Sequence, residues 1–83
     1  MPLFMDVHRI KDGVSADDVA KAHQADVGIQ REFGVDYQRY SVDEQAGRVF
    51  CLVEAPDSAT AATVHRKAHG LVADEIFQVA EGA

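Results

Sequence analysis

The sequence predicts an α+β fold of the ferredoxin-like βαββαβ type, a sandwich in which a four-stranded antiparallel sheet carries two helices on one face. Two observations predict it. Stretches alternating with a period of two and stretches with helical spacing follow each other in the order β, α, β, β, α, β, which is the split βαβ arrangement. Glycine, proline and capping residues fall at the junctions. The chain has 83 residues, which suits a single domain spanning residues 1–83.

Leu3 to Ile10 alternates, with Leu3, Met5 and Val7 on one side and Phe4, Asp6, His8 and Ile10 on the other, so it reads as a strand that Asp12-Gly13 ends. Ser15 with Asp18 three residues on resembles a capping box. A helix is expected from there to about Phe33, with Val19, Ala22, Asp26, Ile29 and Phe33 as its inner stripe and Gly34 as its stop. Asp36 to Val42 reads as a strand with Tyr37 and Tyr40 on opposite faces. A polar loop, Asp43 to Gly47, leads into the strand richest in Val, Phe, Cys and Leu, Arg48 to Ala55. Asp57 or Ser58 caps a second helix that runs to His69. Ala61, Val64, Ala68 and Leu71 line its inner side, and Gly70 ends it. Ile76 to Val79 is a short last strand.

The net charge is −6. Phosphate binding needs a basic stripe, so nucleic acid is not an expected partner. No apolar stretch reaches the length of about 18 residues that a membrane span requires. Cys51 is the one cysteine, so no intrachain disulfide is available. With no basic start and apolar run to mark a signal peptide, a reducing compartment is expected, most simply the cytoplasm.

The strands offer apolar side chains on both parities. Val49, Cys51 and Val53 alternate with Phe50 and Leu52, and Met5 and Val7 alternate with Phe4 and Ile10. Two helices cover only one face of such a sheet, and a second copy of the chain is the simplest cover for the other. A homodimer is expected.

The histidines are the candidates for chemistry. His65 and His69 stand at i and i+4 on the second helix, a spacing by which one helix supplies two nitrogen ligands. The intervening Arg66, Lys67 and Ala68 supply no glutamate base, so a metalloprotease is not indicated. The same spacing also occurs on solvated helix faces. His65 is expected near the edge of the apolar stripe and His69 further toward solvent. His23 and Asp26 lie three apart on the first helix. A carboxylate in an apolar stripe is costly unless hydrogen-bonded or bound to metal. A histidine backed by a carboxylate is a common metal-site arrangement, and a hydrogen-bonded buried aspartate is the plainer alternative. Across an antiparallel helix pair, His23 and His65 come within reach of one another. His8 is a further candidate, in a dimer cleft or as a surface ligand with Asp6. The donor set of His65, His69, His23, Asp26 and His8 suits nickel, zinc or copper rather than calcium or magnesium. Cys51, mid-strand among valines, reads as a small buried hydrophobe.

The segment Phe50-Cys51-Leu52-Val53-Glu54-Ala55-Pro56-Asp57, followed by Val64-His65-Arg66-Lys67-Ala68-His69-Gly70-Leu71-Val72-Ala73-Asp74-Glu75-Ile76, resembles a family of small bacterial ferredoxin-like nickel-binding proteins, formerly a domain of unknown function. The likeness extends over His23 to Asp26 and Gly34 to Tyr40. It implies a dimeric ferredoxin-like subunit that holds nickel near its surface for sequestration, storage or homeostasis, with no catalysis. His65 and His69 match the family's second-helix motif, and His23 with Asp26 the first-helix one.

A competing expectation is a dimeric small-molecule binder or enzyme, its cleft lined by Phe4, His8, Tyr37, Tyr40 and Phe50, where a histidine with a tyrosine transfers protons. A sensor whose dimer contacts respond to metal is a third.

Overall fold

The computed structural model describes residues 1–82; position 83 of the expected domain lies outside them. Strand β1 (Leu3–Arg9) leads to helix α1 (Ala16–Ile29) and a short 3-10 turn (Gln30–Phe33). Strands β2 (Asp36–Asp43) and β3 (Arg48–Glu54), helix α2 (Ser58–Ala68) and strand β4 (Glu75–Val79) follow. The four strands form one sheet in the order β2-β3-β1-β4, with every neighbouring pair antiparallel. This is the ferredoxin-like topology. No helix among the described residues is long and apolar enough to cross a membrane.

Capping residues set the helix starts. The Ser15 hydroxyl accepts the Asp18 N–H at 3.1 Å, and Asp17 and Asp18 place negative charge in the first turn of α1. The Asp57 carboxylate accepts the Thr60 N–H and hydroxyl, each at 2.7 Å, which settles Asp57 as the cap of α2. That hydrogen-bonding holds the Asp57 carboxyl below its ordinary pKa. The first helix is shorter than its periodicity implies. Gly28 and the β-branched Ile29 are weak helix formers, and the last turn tightens into the 3-10 form that delivers the chain to Gly34 at φ 66°.

Register decides which side chains meet the helices. Phe4 pairs with Val53, Asp6 with Cys51 and His8 with Val49, so these six share one face. That face packs under α1 and α2 around Val19, Val35, Tyr37, Ala55, Ala61 and Val64. Leu3, Met5, Val7, Phe50 and Leu52 fall on the other. The two tyrosines depart from simple alternation. Tyr37 pairs with Val53 and Arg39 with Leu52, so Gln38 is an extra residue, a β-bulge. The bulge resets the parity, and Tyr40, opposite Cys51, joins Tyr37 on the helix face.

The candidate metal centre

Strand register places Asp6 and His8, two residues apart, beneath the helices. They are 1% and 5% exposed, which corrects the expectation of His8 in an open cleft or at the surface. From above, α2 lowers His65 onto them. Ala61, Val64 and His65 all face the sheet and are buried, so His65 stands at the middle of the packed stripe rather than at its edge. It is 1% exposed. Asp26, 2% exposed, enters from α1.

The His65 ring joins two carboxylates. Its Nδ1 lies 2.9 Å from Asp26 Oδ1 and its Nε2 lies 2.9 Å from Asp6 Oδ2. Burial alone favours the neutral ring, but hydrogen bonds to Asp26 and Asp6 and the charges of both outweigh it, and the pKa rises to about 9. Burial likewise pushes against the Asp6 carboxylate. The hydrogen bond from His65 and the neighbouring His8 overcome that and hold it at about 2. In the metal-free chain a proton on His65 thus sits between two buried carboxylates, where a cation compensates them. The Tyr37 hydroxyl sits 3.2 Å from Asp6 Oδ2 and donates to Ala61 O at 3.0 Å. Burial and the nearby Asp6 push its pKa up, so it remains protonated.

Two donor groups surround this ring. The outer one is Asp26, His65 and His69, and the inner one is Asp6, His8, Cys51 and His65. Within each group one ligand atom per residue falls within 4.8 Å of every other. His69 Nε2 lies 3.2 Å from both His65 Nδ1 and Asp26 Oδ1. His69 caps α2, half-buried, and its Nδ1 accepts the Leu71 N–H at 3.1 Å. A metal at Nε2 therefore needs the ring proton to move off that nitrogen. Burial, together with the neighbouring His65, keeps the His69 pKa below its ordinary value. Beside the outer group opens a cavity of about 70 Å³, lined by His65, His69, Asp26, His23, Cys51 and Tyr40 among mostly apolar neighbours. That is room for an ion with a water or two.

The structure does not bring His23 into either group. Its ring leans on Tyr40, centroid to centroid 5.0 Å, because the bulge in β2 turns Tyr40 toward α1. Asp26 makes its contacts with His65 and His69 instead. The cleft expected from Phe4, His8, Tyr37, Tyr40 and Phe50 is not assembled either, since Phe50 points to the opposite face of the sheet from the other four. Asp6 and Cys51 are the site neighbours that periodicity undervalued. The available signal was a carboxylate and a histidine, Asp6 and His8, on the same strand parity as Phe4.

The donor set fits a transition metal. Imidazole and carboxylate ligands suit nickel, zinc and copper. Asp6 Oδ1, fully buried, has no hydrogen-bond partner among the described residues, although His8 Nε2 stands 3.2 Å away outside hydrogen-bond geometry. A buried carboxylate oxygen left unpaired is a free ligand position.

Comparison with known proteins points the same way. Residues 4–79 match the family model described as Nickel responsive protein SCO4226-like. The chain is similar to SCO4226 from Streptomyces coelicolor A3(2), known from its crystal structure. The identity is 37%, the TM-score is 0.89, and the match covers 98% of this chain and 99% of that one. No curated protein matches the chain. The chain belongs to the SCO4226-like family of nickel-responsive proteins.

Proposed function

We propose that this protein binds a divalent transition metal, nickel foremost, and serves its sequestration or homeostasis without catalysing a reaction. The observation that carries this is the outer group. Two histidines one helical turn apart on α2 and a buried carboxylate from α1 converge within 4.8 Å beside a small cavity. Family membership favours nickel over zinc and copper; the donor set alone does not separate them. Asp26 has two roles available, as ligand or as the group orienting His65. His8 belongs with the inner group, and His23, against Tyr40, lines the approach to the outer one. As part of the same proposal, the chain acts in the cytoplasm as a homodimer, with its helix-free sheet face covered by a second copy.

Isothermal titration of nickel into the protein tests the metal site, beside His69→Ala and Asp26→Asn. His69 is half-buried at a helix end, so its truncation spares the fold. Loss of one ligand weakens binding by tenfold or more (about 1.4 kcal/mol per decade), with an unchanged circular-dichroism spectrum. Wild-type affinity in both variants would move the ion elsewhere, and no heat of binding in the wild type would sink the proposal.

A further inference from the structure

We infer that the inner group, Asp6, His8, Cys51 and His65, is a second metal site, built for a thiophilic divalent ion that prefers tetrahedral coordination, zinc foremost. The outer group uses His65 through Nδ1; the inner one meets the same ring through Nε2, and it alone contains sulfur.

Four features of the fold converge on it. Asp6 and Cys51 are cross-strand partners on adjacent β1 and β3, on the helix face, so the carboxylate and the sulfur are neighbours by register. Residues of one parity on a strand share a face, so His8 stands beside Asp6. His65 closes the group from above, its Nε2 at 3.3 Å from His8 Nε2 and 2.9 Å from Asp6 Oδ2. Lastly, Asp6 Oδ1 is buried without a hydrogen-bond partner among the described residues, in a residue that is 1% exposed.

The dimensions suit an ion. Zinc bonds of about 2.0 to 2.3 Å place tetrahedral ligands about 3.3 to 3.8 Å apart. His65 Nε2 lies 2.9 Å from Asp6 Oδ2 and 3.3 Å from His8 Nε2, His8 Nε2 lies 3.2 Å from Asp6 Oδ1, and one donor atom from each of the four residues falls within 4.8 Å of every other. Shifts of under about 1 Å gather all four onto one centre. Two imidazoles, a carboxylate and a thiolate are a borderline-soft set, which selects zinc over magnesium or calcium. Binding releases the Cys51 thiol proton and the Nε2 proton of His65 to solvent, and the metal then holds the sulfur as thiolate.

Cobalt(II) is the probe, because a thiolate bound to it absorbs in the near ultraviolet and tetrahedral coordination gives intense visible bands. Cobalt is added to the reduced, metal-free chain and then displaced with zinc. The expected result is a thiolate-to-cobalt band that zinc abolishes, that is absent in Cys51→Ser and Cys51→Ala, and that persists in His69→Ala. A wild-type protein that binds nickel or cobalt with no thiolate band would overturn the inner site and leave the outer one standing. A thiolate band alongside undiminished nickel binding in His69→Ala and Asp26→Asn would do the reverse. The wild-type spectrum decides even if a cysteine variant folds poorly.

Discussion

At the scale of single residues, His65 is the hinge of the site. One ring on α2 touches a carboxylate from α1, a carboxylate from β1 and two further imidazoles. Its sequence signature was plain as half of a His-x-x-x-His pair, but its depth was not. Periodicity ranked it at the margin because a histidine scores as polar, whereas the pairing with Asp6 and Asp26 removes the penalty of burying it. The arrangement makes the stability of the metal-free chain depend on pH. The folded pKa of His65, about 9, exceeds the ordinary 6.5, so its contribution is complete below 6.5 and is lost as pH rises through 9. For Asp6 the folded pKa, about 2, is below the ordinary 3.8, so its contribution is complete above 3.8 and is lost as pH falls through 2. Half-buried His69 opposes His65, since its lowered pKa favours the folded state above its ordinary value. Chemical denaturation in chelator is expected to show lower stability at pH 9 than at pH 6.5, by roughly 1 to 3 kcal/mol. In Asp26→Asn, which removes one of the two carboxylates holding the ring charged, that alkaline fall is smaller. An equal fall in the variant would mean that the His65–Asp26 pair does not stabilise the charged ring.

Among the elements, the strand order, the two helices and the caps were legible because each rests on local chemistry. Examples are Ser15 accepting from Asp18, Asp57 from Thr60, and Gly34 at a positive φ. The β2 bulge was not legible. Nothing local in Tyr37-Gln38-Arg39-Tyr40 announces an extra residue; the partner strand decides it, and it carries Tyr37 onto Asp6 and Tyr40 onto His23. The β2–β3 loop shows the opposite case, a position dictated by close approach. Gly47 has φ 68°, its carbonyl accepts the Ile10 N–H at 2.7 Å, and a Cβ there would stand 2.2 Å from Ile10 O. This contact ties the loop to the end of β1, two residues beyond His8. Gly47→Ala is therefore expected to cost more than about 2 kcal/mol, from the left-handed backbone and the backbone clash together. Its midpoint in a urea melt checks this, and a change below about 0.5 kcal/mol would mean that the loop has room to rebuild.

For the whole molecule, the sheet divides the chain into a face that carries the donor groups under the helices and a face that no helix covers. The helices bury Phe4, Asp6, His8, Val49, Cys51 and Val53. The opposite face presents Leu3, Met5, Val7, Phe50, Phe77 and Val79 around the buried Leu52, interrupted by Arg39, Ser41 and Glu75. Phe77 is 49% exposed and Phe50 36%. Water is a poor partner for contiguous apolar surface, and a stable interface of about 800 Å² per partner is within reach of one such face. A self-complementary patch favours a two-fold pair. Phe77→Glu places a carboxylate on the β4 side of that patch, beside Met5, where in a dimer it meets apolar surface or its own copy. Light scattering after gel filtration is expected to give twice the chain mass for the wild type and a shift toward the monomer in Phe77→Glu. Its circular dichroism should be retained, because Phe77 is outside the buried core of the subunit. Nickel titration of the same variant separates two designs: unchanged affinity places the metal centre wholly within one subunit, whereas a loss that tracks dissociation makes the second copy part of it. A wild-type chain that scatters as a monomer at micromolar concentration would end the dimer reading and leave the apolar face to some other partner.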